Sequence, residues 1–143
     1  LGYITKEDLR KEIGEGKLLQ LADPNGTGAV DDEYVGKAIA YAEGKFDSYV
    51  LSRYSSPIPV TEIVKSTCLV LAIYKLYANN LTIEEGKYKI EKDLHDSAIK
   101  WLEAVARGTA ILPGAVLIGV EAADGSDDIS LPGTISLPVR LGW

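Results

Sequence analysis

The stretch EIVKSTCLVLAIYKLY, residues 62–77, is apolar on nearly every side of a helical wheel. A helix of that kind cannot rest on a surface with one flank in water; its neighbours must enclose it. A helix over about residues 59–78 is therefore expected at the centre of the fold, with the rest of the chain arranged round it. The longest strongly apolar run inside it, CLVLAIY, stops at Lys75. That is far too short to cross a bilayer. No charged-then-apolar signal segment opens the chain, and no membrane partner is expected.

The flanking sequence supplies what such a helix needs. Thr5 opens a short helix, TKEDLRKEI, with acids in its first turn and Gly14 as its stop. KLLQLA forms a second short helix. A long helix follows over about residues 32–53, with Val35, Ile39, Ala42, Phe46 and Tyr49/Val50 recurring at threes and fours. SSPIP breaks it, because two prolines cannot continue a helix interior. After the central helix, Leu81 and Thr82 make a turn. A third long helix over about residues 83–107 carries Ile90, Leu94, Ala98, Trp101/Leu102 and Val105 on one stripe and ends at Gly108. Three long and two short helices make a mainly α fold, a small bundle.

The last third changes period. From Ile129 onward every odd position except Gly133 is a large apolar residue: Leu131, Ile135, Leu137, Val139, Leu141 and Trp143. That two-residue alternation belongs to an extended strand with one apolar face. The even positions include Pro132 and Pro138, so both missing N–H donors fall on one edge and the other edge keeps all of its own. AVLIGV, residues 115–120, is an earlier strand candidate. We expect a helical body over 1–110 and an extended C-terminal β arm or hairpin over 111–143. The arm either docks by strand addition on another chain or folds back as a hairpin on its own body.

DPNGTGAVDDEY, residues 23–34, has the outline of an EF-hand loop. Asp23, Asn25, Thr27, the Ala29 carbonyl and Asp31 occupy the first five ligand positions, and Gly28 sits at the sixth residue. The closing bidentate carboxylate is missing: Tyr34 stands at the twelfth position and Glu33 one residue early. Turn chemistry explains the same residues, with Pro24 and Gly26 shaping the turn and Asp31 capping the next helix. A calcium-independent turn is the expectation, and a monomeric calcium-binding module is the alternative.

Other chemistry is sparse. His95 is the one histidine, on a helix between Asp93 and Asp96, and reads as a surface residue; a small enzyme built on it is a further alternative. Cys68 lies in the most apolar helix with no local base, so a packed thiol is expected. It permits no internal disulfide, which suits folding in the cytosol. No histidine–cysteine cluster suggests a metal, and no phosphate-cradling loop suggests a cofactor. The chain contains no methionine, so it is expected to lack its translated start. No catalytic residue is assigned.

The most distinctive stretch is FDSYVLSRYSSPIP, residues 46–59. Asp47 and Arg53 are six residues apart and off one another's face, so each is expected to pair with another helix or another chain. With Tyr49 and Tyr54 beside it, Arg53 suits an interface anchor. A structural salt bridge at the helix end is the other reading.

LLQLADPNGTGAVDDEYVGKAIAYAEGKFDSYVLSRYSSPIP, followed by STCLVLAIYKLY, resembles the Mu-like bacteriophage head-completion family of head–tail connectors, or adaptors. The resemblance rests on Asp23, Gly26, Thr27, Gly28 and Asp31 in the loop. It continues through Asp47, Tyr49, Arg53, Tyr54, Pro57 and Pro59 to Cys68, Ala72 and Tyr74, and WLEAVARG looks like the family's last helix. It spans roughly residues 3–110. Val60–Thr61 departs from it where the family often has another proline, and the arm has no counterpart. The resemblance implies a protein of the virion neck, assembled in the host cytoplasm. It implies a ring, commonly of twelve copies, between the portal protein and a tail or neck protein, with DNA passing through the lumen. The net charge of −6 fits a channel to which DNA does not adhere.

Overall fold

A computed structural model describes residues 2–79 and 85–119. Among these described residues five helices follow one another: α1 (Lys6–Ile13), α2 (Glu15–Leu21), α3 (Asp32–Val50), α4 (Glu62–Ala78) and α5 (Glu85–Arg107). Helix α4 is the axis. Helices α3 and α5 pack along it and against each other, while α1 rests on α3 and α4 and pairs with α2. Val64, Cys68, Leu71, Ala72, Ile73 and Leu76 of α4 are all buried, which the all-round apolar pattern required. Buried Thr67 keeps its hydroxyl satisfied by donating to the Ile63 carbonyl at 2.7 Å.

The helix starts are local chemistry. Thr5 and Asp8 form a reciprocal capping box, Asp8 N–H donating to Thr5 Oγ1 at 3.1 Å and Thr5 N–H to Asp8 Oδ2 at 2.9 Å. Gly14, at φ +90°, ends α1 and begins α2 at once. Asp31 caps α3 by accepting from Glu33 N–H and Tyr34 N–H.

Three boundaries differ from the sequence reading. Helix α3 stops at Val50, and residues 51–53 make a turn in which Arg53 N–H and Tyr54 N–H both donate to the Val50 carbonyl. Helix α4 begins at Glu62, because Thr61 is extended and leaves Pro59 and Val60 outside. The Ser56–Pro57 peptide is cis. The strand expected at 115–120 is a single antiparallel bridge, Leu117 to Tyr54, among the described residues. Ser55 N–H donates to the Val116 carbonyl at 2.6 Å, and Ile118 N–H to the Arg53 carbonyl at 2.9 Å. Residues 111–119, assigned to the arm from sequence, thus lie against the body, with Leu112 buried. The alternating segment 129–143, and with it the extended arm, lies outside the described residues.

Helix α5 carries the other difference. Leu102 and Val105 are buried and Ala98 packs on the core, but Ile90 is 60% and Leu94 49% exposed. The expected stripe is covered at its C-terminal end and bare at its N-terminal end. Among the described residues no helix is long and apolar enough to cross a membrane.

Candidate functional site

The turn between α3 and α4 collects the residues singled out by sequence, and it holds them differently. Asp47 faces the N-terminal segment, accepting from the Tyr3 hydroxyl at 2.6 Å. Burial first, and then Asp47, push the Tyr3 phenol far above its ordinary range. Beside them Glu43 Oε2 accepts from Tyr3 N–H at 2.6 Å and Ile4 N–H at 3.1 Å. Tyr49 is half-buried against the core. Tyr54 is only 4% exposed, and its hydroxyl accepts from Leu112 N–H at 3.1 Å. It ties the turn to the segment after α5.

Arg53 is the unusual member. Its guanidinium lies on the bare Cα of Gly108, so close that a Cβ there would meet Arg53 Cζ at 2.8 Å. Its Nε is buried with no hydrogen-bond partner, and Thr61 Oγ1 at the same end of the bundle is in the same condition. Asp47 and Arg53 do not pair with each other, as their spacing indicated. No ion pair joins Arg53 to a carboxylate among the described residues.

The segments that adjoin Arg53 expose apolar side chains among exposed Ser52, Ser56, Arg107 and Thr109. Leu51, Leu117, Ile111 at 76% and Ile118 at 57% are exposed. Sequence reasoning missed this cap, although one signal was present: consecutive Leu117 and Ile118 in an extended segment cannot both face inward. The remaining interface candidates, Leu131, Ile135, Leu137, Val139, Leu141 and Trp143, lie outside the described residues.

His95 is more enclosed than a surface histidine. Its ring stacks on Tyr74 with centroids 4.0 Å apart, Nε2 is 3.4 Å from the Tyr41 hydroxyl, and Nδ1 is 3.1 Å from Asp96. Tyr41, Tyr74 and His95 come from α3, α4 and α5, so the cluster clasps the three long helices. A hydrogen bond to Tyr88, with burial second, pushes the Tyr74 phenol up to about 12. Lys92 first, then His95, holds the Asp96 carboxyl below its usual range. Cys68 is fully buried, and burial first pushes its thiol up to about 12.

The 23–31 loop is closed by its own backbone. Asp23 accepts from Thr27 N–H at 2.8 Å and Gly28 N–H at 2.9 Å, so both carboxylate oxygens are turned onto amides. Those amide bonds, Gly28 first, lower its pKa. Its contribution is therefore complete above the unfolded carboxyl value and is lost as pH falls through the lowered one. Asp31 N–H, donating to the Ala22 carbonyl at 2.8 Å, shuts the loop. A calcium ion would have to break this set. Millimolar calcium, or a chelator, is expected to leave the melting temperature unchanged. A site filled at 100 times Kd adds about 2.7 kcal/mol, a shift plain in any thermal scan. A calcium-dependent rise would overturn the turn assignment.

Residues 3–126, most of the chain, match the family model described as Bacteriophage Mu, Gp36. No match was found among curated proteins.

Proposed function

The chain belongs to the bacteriophage Mu Gp36 family, and from that premise we propose that it is a structural protein of the phage particle, a non-catalytic head–tail connector. In this reading copies form a ring under the portal protein and continue the DNA channel toward a tail or neck protein. The ring sits in the neck of the virion and is put together in the host cytoplasm. The family match carries the proposal. The bundle supports it by leaving Arg53, without an ion pair among the described residues, beside exposed Leu51, Leu117 and Ile118, which is anchor chemistry for a protein partner. The acidic balance suits a lumen that repels phosphates.

The C-terminal arm is the docking strand in this proposal. Its odd-numbered edge keeps every N–H donor, and its apolar side chains sit on the same residues. Mass photometry tests both parts. Alone at micromolar concentration the chain is expected to be monomeric, and with portal rings added it is expected to appear as a bound ring. Deletion of residues 126–143 is expected to preserve the helical circular dichroism and melting temperature but to abolish joining. Stable rings formed without a partner would contradict templated assembly. A truncated chain that joins normally would remove the arm from the proposal.

A further inference from the structure

The short ribbon formed by residues 53–55 and 116–118 is paired on one side only. Tyr54 and Leu117 stand directly opposite each other, and the bonds that hold them belong to their neighbours. Ser55 N–H donates to the Val116 carbonyl and Ile118 N–H to the Arg53 carbonyl. In an antiparallel pair of that kind the two facing residues turn their own N–H and C=O groups outward. Leu117 N–H and C=O accordingly make no hydrogen bond among the described residues. Leu117, Ile118 and Gly119 are all exposed, so the ribbon ends in an open edge. Such an edge is a template for another strand.

The chain itself continues from that edge, and two features of its sequence match it. Along residues 129–143 the odd-numbered edge keeps every N–H, whereas Pro132 and Pro138 interrupt the even one. An unbroken ladder with Leu117 therefore uses the odd edge. Directly opposed residues also share a face of the sheet, and Leu117 shares one with buried Tyr54. The odd residues are the apolar ones, so the same register lays their side chains on the face that rests on the body. Hydrogen bonding and apolar burial thus ask for the same parity, and a slip of one residue loses both. A three-residue hairpin turn at Ala123-Asp124-Gly125 would have glycine at its left-handed position, as such turns prefer. Counting back from that turn sets Leu131 opposite Leu117 and Ile129 opposite Gly119.

We propose that residues 126–143 return on their own chain as an antiparallel strand along the outer edge at Leu117, with Leu131 as its partner. In the free chain this pairing holds the bonding edge of the arm against its own body. In the connector reading the arm must leave Leu117 before it docks on a partner, which keeps the unpartnered chain monomeric. That consequence rests on the connector reading; the pairing does not. The strand joins a ribbon at the margin of the bundle, so its presence is read at Leu117 rather than in the melting of the helices.

Amide exchange followed by NMR on the isolated chain tests the pairing with no portal present. Leu117 N–H is expected to exchange at least about tenfold more slowly in the full chain than after deletion of residues 126–143. Leu131→Pro, which removes a donor from the bonding edge, is expected to free Leu117 as the deletion does. Ser130→Pro, on the interrupted edge, is expected to leave it slow. Equal exchange in the full and truncated chains, whether fast or slow, would overturn the pairing. Slow exchange restored to the truncated chain by adding full chain would give the edge to another copy's arm and overturn the same-chain assignment. The reverse response of the two proline variants would overturn the register. Each of these losses leaves the connector reading standing, and a chain that fails to join portal rings leaves the pairing standing.

Discussion

Phe46→Ala is expected to lower the stability of the bundle by about 3–5 kcal/mol, the cost of emptying a large buried aromatic site. Phe46 is fully buried on the face of α3 that meets the core. The Tyr3 ring stands edge-on to it, with centroids 5.0 Å apart at 63°. Tyr3 is in turn held by Asp47 and Glu43, so the hole opens beneath the N-terminal segment as well as between helices. A thermal melt should fall by roughly 10–20 °C for a domain of this size. Phe46→Leu, which keeps most of the volume, should lose far less. A loss below about 1 kcal/mol for the alanine variant would mean that the core collapses freely round the gap.

Gly108→Ala is the second large effect, with two separable causes. At φ +87° an L-residue with a Cβ is strained by about 1–2 kcal/mol. The new methyl would also lie 2.8 Å from Arg53 Cζ and 3.0 Å from both Nη atoms, so the guanidinium must leave its seat. Together these should cost about 2–3 kcal/mol. Arg53→Ala alone should cost under about 1 kcal/mol of folding stability, because no carboxylate among the described residues is orphaned by it. In the double variant the steric part vanishes and only the backbone part remains. Chemical denaturation of the four proteins should therefore give a cycle in which the double variant is more stable than the two losses summed. Additive losses would show that the guanidinium does not rest on Gly108 in solution.

The helices were legible because their information is local. Capping at Thr5 and Asp31, the stop at Gly14 and the apolar repeat of α3 each need only a few neighbouring residues. The all-round apolar α4 also announced its central place. What the sequence hid depends on residues far apart in the chain. Gly108 reads as a helix stop, yet it also clears space for Arg53. Tyr54 reads as an interface anchor, yet Leu112 N–H takes its hydroxyl into the body. His95 reads as solvent-facing until Tyr41 and Tyr74 arrive from two other helices. The α5 stripe was visible, but a period cannot tell how far along a helix its partners extend. Ile90 and Leu94 fit the repeat and remain uncovered.

The bridge between residues 53–55 and 116–118 fixes where the following chain departs: beside the turn that joins α3 to α4. Rotational symmetry acts on that point in a way no single copy reveals. In any cyclic assembly every departure point stands at the same height along the axis. The next residues, EAADGSDD, bring Glu121, Asp124, Asp127 and Asp128 into the chain just past it. In the proposed ring, one short acidic stretch of sequence per copy would follow each departure point. Mutual repulsion of those charges would weaken as dissolved ions shorten the Debye length, about 10 Å at 0.1 M salt. Ionic strength would thus act on closure of the proposed ring.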